Sequence, residues 1–234
     1  MAIFENIGRI REQIAAAAQR AGRSENDVSL MAVSKTFQAD AIKEAYAAGI
    51  RIFGESKVQE FDGKATALAE LHDAEWHMIG HLQTNKAAKA IELFGYIDSV
   101  DSLRLAQKLN TAASQAGKKL GVLIEINVGG EAAKSGVTLD SAELEQILAS
   151  ASQLNNLEFR GLMTVPPWTD DPEGARPFFR KLRQLRDKLT SPKVPGVRLD
   201  MLSMGMSHDF QVAIEEGSTC VRIGTAIFGD RTKI

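Results

Sequence analysis

The sequence holds one cysteine, Cys220, so no disulfide can form within the chain. Neither it nor the four histidines fall at metal-ligand spacing, and no metal site is expected. Cys220 adjoins the apolar Val221 and Ile223 and reads as a small buried core residue. Aromatic residues are scarce, with only two tyrosines, so any tyrosine acting at a site must be Tyr46 or Tyr96. No apolar run approaches the length of a membrane span. Glu5, Arg9, Arg11 and Glu12 break up any signal-peptide core near the start, and a cytoplasmic protein is expected. A net charge of −2 gives no general pull toward nucleic acid or anionic membrane, and neither is expected as a partner. Also missing are internal repeats, low-complexity tracts and any linker that would mark a second domain.

What is present is an ordinary soluble composition, 44% apolar and 25% charged, over 234 residues. That length suits one closed α/β barrel, for which about 250 residues is typical. Eight short β-rich runs can be counted, at 28–34, 51–54, 76–80, 96–100, 120–128, 157–163, 198–202 and 219–224. Helical patterns separate them, with apolar spacing such as Leu105, Leu109, Ala112 and Phe178, Leu182, Leu185, Leu189. Asp101 or Ser102 supplies a cap before Leu103, and Asp140 one before the run at 143–148. Alternating strand and helix implies parallel strands with helical crossovers. The expected fold is therefore α/β, a single (β/α)8 TIM-type barrel over residues 1–234 that acts as a monomer. An extra N-terminal helix near 4–21 would pack where a truncated eighth helix leaves room. A doubly wound sheet is the runner-up, but eight strands would be large for it and no G-x-G-x-x-G follows the first strand.

Lys35 ends the first apolar run, and strand alternation puts it on one face with Met31 and Val33. Catalytic and binding groups concentrate at the carboxyl ends of barrel strands. Two glycine- and serine-bearing segments follow the seventh and eighth strands, Ser203-Met204-Gly205-Met206-Ser207 and Gly224-Thr225. Loops in those positions are the recurrent phosphate site of this barrel class, because small residues let backbone N–H groups reach an anion. A strand-end lysine facing such a nest suits a covalently held aldehyde phosphate, and the combination points to pyridoxal 5′-phosphate (PLP). Lys86 and Lys134 are rival lysines that could touch a phosphate or simply be solvated. Arg222 is expected to point into the barrel, where it needs an acceptor such as a pyridine nitrogen or Glu125. His77 and His81 bracket a strand and read as structural or ring-stacking residues. The proline-rich connection at 164–173, with Trp168, reads as a rigid surface loop more than as a lid.

Several segments resemble one family, the pyridoxal phosphate homeostasis proteins. They are Val33-Ser34-Lys35-Thr36, Phe53-Gly54-Glu55, Trp76-His77-Met78-Ile79-Gly80-His81-Leu82-Gln83-Thr84-Asn85-Lys86, Lys134-Ser135-Gly136, Arg160-Gly161-Leu162-Met163, the Ser203–Ser207 segment with the preceding Leu202, and Val221-Arg222-Ile223-Gly224-Thr225-Ala226-Ile227-Phe228-Gly229. The likeness runs from about residue 5 to the end. It implies a barrel like the N-terminal domain of bacterial alanine racemase, with PLP held as a Schiff base on Lys35. It further implies that Ser203, Ser207, Gly224 and Thr225 hold the phosphate, that Arg222 faces the pyridine nitrogen, and that the role lies in vitamin B6 balance without a robust assigned reaction. One departure stands out: Ser56 occupies the place where the family commonly has asparagine.

Three functions compete. The first is a PLP carrier that hands its cofactor to apo-enzymes. The second is a PLP-dependent, alanine-racemase-like isomerase, and the third an interaction protein on a barrel scaffold. The third leaves the phosphate loops unexplained. Racemisation needs a proton-transfer group on each face of the substrate; Lys35 supplies one, and Tyr46 and Tyr96 are poorly placed to supply the other. Carrier is the stronger reading.

Overall fold

In the computed structural model, which describes residues 2–131, 134–190 and 194–229, the eight runs become eight strands. They are β1 (Ser29–Val33), β2 (Ile52–Glu55), β3 (Glu75–Met78), β4 (Tyr96–Val100), β5 (Leu120–Glu125), β6 (Leu157–Met163), β7 (Val197–Met206) and β8 (Cys220–Ile223). Each pairs in parallel with the next and β8 returns to β1, closing the barrel in chain order. The helices on its outside are α1 (Ile3–Arg20), α2 (Ala39–Ala47), α3 (Val58–Ala65), α4 (Ala87–Leu93), α5 (Leu103–Gln115), α6 (Ala142–Ser150), α7 (Arg176–Thr190), α8 (Phe210–Glu215) and α9 (Thr225–Phe228). Ser102 caps α5, and Ser141 rather than Asp140 caps α6.

Strand alternation builds two layers. Leu120, Val122 and Ile124 of β5 join the apolar core beneath the helices, and Leu123 and Glu125 take the inward positions between and after them. In that outer core Phe53 stacks on Trp76, and Phe61 lies tilted against Trp76 and Phe94, with centroids 4.6–5.0 Å apart. Burying each such side chain contributes about 1.5–3 kcal/mol. In α1, Ile7, Ile10, Ile14, Ala17 and Ala18 form one buried stripe at helical spacing. That stripe packs on α8, α9 and α2. The arrangement matches the expectation, because α9 has only four residues and α1 covers the wall it leaves open. Asn6 Nδ2 donates to the Ile227 carbonyl at 2.8 Å and pins α1 to α9.

The seventh strand differs from its sequence reading. It runs to Met206, so most of the segment expected as a loop, Ser203 to Met206, is strand. Ser203 pairs with Met163 on one side and Cys220 on the other, and Met206 with Arg222. Gly205 supports the irregular register here with φ +94, a conformation that a side chain would strain. On the β6 side, a Cβ on Gly161 would lie 1.9 Å from the Met201 carbonyl oxygen, so glycine is needed for the two backbones to approach.

Candidate functional site at the barrel mouth

Closure of the barrel brings the two ends of the sequence together. Ala32 of β1 is in register with Ile223 of β8, and Met206 of β7 with Arg222. Lys35, in the turn after β1, therefore shares one sector of the mouth with Ser207 and with Gly224–Thr225. Lys35 is half-buried. Ser207, half-buried too, accepts through Oγ a long hydrogen bond of 3.5 Å from the Ala226 N–H, which links the β7 and β8 loops. The β7 loop is stiffened by Asp209, whose Oδ1 accepts from the Met206 N–H at 2.6 Å. Burial pushes the Asp209 carboxyl above the usual range, against the pull of that backbone donor.

Gly224 has φ −109, which any residue can adopt, and a Cβ there would meet Val33 only at an ordinary 3.5 Å. Neither backbone nor packing demands glycine at this position. Gly224 stands at the start of α9, whose first N–H groups lack acceptors within the helix.

Arg222 points into the barrel and is buried. Its Nη1 donates to the carbonyl oxygen of Ser203 at 2.6 Å and to Ser203 Oγ at 2.8 Å. Its Nη2 donates to the Thr164 carbonyl at 2.7 Å. Its protein acceptors are thus mainly backbone carbonyls, whereas the sequence offers a pyridine nitrogen or Glu125. Those bonds occupy three of the five guanidinium N–H donors. Ser203, expected among the phosphate residues, is the side chain that Arg222 grips. It is fully buried, and its hydroxyl faces Arg222 below the mouth because β7 continues past it.

Across the mouth from Lys35 stands Glu125, inward at the end of β5. Its Oε1 accepts from Ser135 Oγ at 3.0 Å, and its buried Oε2 has no hydrogen-bond partner. Burial raises its pKa, with Asp101 adding to the rise, while Ser135, Arg222 and His81 oppose it. His81 is bonded to Asp101 at 2.9 Å. Of the rival lysines, Lys134 donates to the Pro166 carbonyl and pairs with Glu131 at 2.9 Å, and Lys86 sits in a short turn before α4. Trp168 is 70% exposed in the proline-rich loop yet stacks on His208, next to Ser207. A cleft of about 680 Å³ lined by Leu157, Arg160, Val194 and Arg198 opens at the opposite end of the barrel and carries none of these groups.

Deeper inside, His77 is buried against Asp98, with Nδ1 2.9 Å from its carboxylate, and lies flat on Tyr96 at 4.2 Å. This is the structural, ring-stacking role expected of it. No group of three metal-ligating side chains occurs among the described residues. Desolvation alone would lower the His77 pKa, but the charge and hydrogen bond of Asp98, joined by Glu75, outweigh it and carry it up to about 9. A raised folded-state value means that this pair stabilises the fold fully below about pH 6.5 and progressively loses that contribution as pH rises through about 9. Urea unfolding between those limits should show a decline of up to about 3 kcal/mol. In Asp98→Asn the slope should be much flatter, and equal slopes in the two proteins would discard the assignment.

Two members of the site were not singled out in the sequence. Glu55, fully buried at the end of β2, and Lys64 of α3 meet at 2.8 Å behind the Lys35 turn. Glu55 lies in a segment quoted above for its resemblance, but a lysine on an amphipathic helix gives no signal of its own. Ser56, the departure from the family pattern, places its backbone against Gly80, where a Cβ would meet the Ser56 oxygen at 2.4 Å.

Residues 6–232 match the family described as Alanine racemase, N-terminal domain. The chain is 47% identical to the pyridoxal phosphate homeostasis protein of Aquifex aeolicus over 97% of each. It is similar to PipY of Synechococcus elongatus solved with PLP bound, at 38% identity and a TM-score of 0.84, covering 97% of this chain and all of that one. Clostridium difficile alanine racemase shares the fold at 18% identity and a TM-score of 0.70, with 94% of this chain covering 55% of the enzyme. By family match and by near-full-length identity, this chain belongs to the pyridoxal phosphate homeostasis proteins of the alanine racemase N-terminal domain family.

Proposed function

We propose that the protein binds PLP, holds it as a Schiff base on Lys35, and buffers and delivers it inside the cell. The observation that carries this reading is the register of β1, β8 and β7, which sets an amine-bearing turn beside two linked small-residue loops. PLP brings an aldehyde for the amine and a phosphate for the loops. Ser207, Gly224 and Thr225 would hold the phosphate at the start of α9. Arg222 would direct a remaining N–H toward the ring nitrogen, and Ser203 would orient Arg222 instead of touching the phosphate. The presence of PLP in the PipY relative supports the reading. A monomeric, cytoplasmic carrier that supplies apo-enzymes is the form of the proposal, with an amino-acid racemase as the alternative.

The test is chemical. Protein incubated with PLP should absorb in the visible, and borohydride reduction followed by peptide mapping should place the adduct on Lys35. An adduct mainly on Lys86 or Lys134 would overturn the assignment. Delivery is tested by PLP transfer to an apo-enzyme faster than release into solution allows.

The phosphate assignment makes its own prediction. Gly224→Leu, checked for folding by its melting, puts a bulky side chain beside the start of α9, where a Cβ would already touch Val33 at 3.5 Å. Charge-assisted hydrogen bonds are roughly twice as strong as neutral ones, so PLP should weaken far more than pyridoxal, which lacks the phosphate. Equal losses for both ligands would count against the site.

A further inference from the structure

The turn that bears Lys35 is held from behind by a second lysine. Lys64 Nζ, on a side chain only 11% exposed, lies 3.2 Å from the Ser34 carbonyl and 3.2 Å from the Phe37 carbonyl. These two oxygens flank Lys35 on either side. The same ammonium contacts Glu55 Oε1 at 2.8 Å and Glu60 Oε1 at 3.3 Å. Glu55 also accepts from Ser34 Oγ at 2.6 Å, and Glu60 accepts from the Thr36 N–H. The Phe37 N–H closes the turn onto Ser34 at 3.1 Å. Phe37 then stacks on Phe228 of α9 at 4.7 Å, tying the turn to the β8 loop.

Between these anchors Thr36 has φ +71, the one non-glycine residue with positive φ among those described. A β-branched residue in that region is strained and persists only where its surroundings over-determine it. An ion pair between Lys64 and Glu55 would need neither backbone oxygen. Four oxygens converging on three ammonium donors, two of them from one strained turn, fix the path of that turn.

We propose that Lys64 is a positioning residue: held by Glu55 and Glu60, it sets the Lys35 turn and so the direction from which the Lys35 amine meets an aldehyde. This rests on the reading of Lys35 as the Schiff-base lysine.

The experiment compares the wild type with Lys64→Met and Glu60→Ala. Glu60→Ala leaves the buried Lys64–Glu55 pair in place and serves if Lys64→Met fails to fold, as judged by far-ultraviolet circular dichroism and melting. Stopped-flow absorbance follows condensation with PLP, and visible circular dichroism reports whether the bound chromophore is held in one orientation. Affinity for pyridoxine 5′-phosphate, which has no aldehyde, reports the non-covalent contacts to phosphate and ring without the Schiff base. In folded Lys64→Met, condensation should slow by about ten- to a hundredfold, the scale on which a 1 Å misplacement acts. Its visible dichroism should be largely lost and its affinity for pyridoxine 5′-phosphate unchanged. Glu60→Ala should move in the same direction by less. Wild-type rate and dichroism in a folded variant would overturn the positioning role while leaving Lys35 in place. Parallel loss of pyridoxine 5′-phosphate affinity would reduce Lys64 to a general structural residue and overturn it too. A wild-type adduct on another lysine would instead sink the reading beneath it.

Discussion

Loaded with PLP and incubated with L-alanine in deuterated water, the protein is expected to return L-alanine, with at most slow exchange of the α-hydrogen. A racemase must take a proton from one face of its substrate and return one to the other. Each positioned acid or base is worth roughly 10²–10⁴-fold. On the proposed reading Lys35 serves one face. Tyr46 lies on α2 outside the barrel, bonded to Asp73. Tyr96 lies at the start of β4, stacked on His77 and 3.5 Å from Arg160. Neither reaches the mouth. Arg222 adds to the deficit, because a guanidinium is effectively always protonated and can only donate to a ring nitrogen. That nitrogen would stay unprotonated and the ring a weaker electron sink. Inversion should therefore run orders of magnitude below the ordinary enzyme range of about 1–10³ per second. Turnover within that range would defeat the carrier reading. It would also turn attention to Glu125, the inward carboxyl across the mouth, and Glu125→Gln would show whether it supplies the second proton transfer.

Arg222→Met is expected to cost about 3–5 kcal/mol of folding stability, the scale seen when one partner of a buried charged network is removed. The carbonyls of Ser203 and Thr164 would lose their donor. Asp98, Glu125 and Asp209, whose charges Arg222 feels, would lose a compensating cation. Arg222→Lys should lose less, since it keeps the charge but cannot span both carbonyls. Arg222→Glu would add a fourth carboxylate and should not fold. Urea unfolding measures all three. A loss below about 1 kcal/mol in Arg222→Met, no more than a neutral hydrogen bond contributes, would show that the arginine is there for a ligand alone.

Much of the barrel was legible because its signal is local. A buried parallel strand is a short apolar run, and eight such runs between helical patterns leave few topologies. Lys35 stood out for the same reason, as a charge at the end of such a run. The β7 segment misled because Ser203, Gly205 and Ser207 have turn composition, whereas pairing with β6 and β8 decides their backbone. What holds Arg222 was invisible, since backbone carbonyls leave no mark in a sequence. Lys64 was hidden differently: its partners Ser34 and Phe37 lie about thirty positions upstream and meet it only through the crossover after β2.

The pairing of β1 with β8 has a consequence for how the protein is made. Residues near 30 must wait for residues near 220 before that seam can close, and contacts so distant in sequence are slow to form. Lys35 sits on one side of the seam and Gly224 on the other, with Asn6 and Ile227 fastening the same edge from outside. The nascent barrel therefore has no complete mouth until its last strand emerges. A ligand gripped by both sides would favour the closed form by mass action, by about 2.7 kcal/mol at a hundredfold excess over its dissociation constant. Supply of that ligand during synthesis would then set how much of the chain survives as finished barrel.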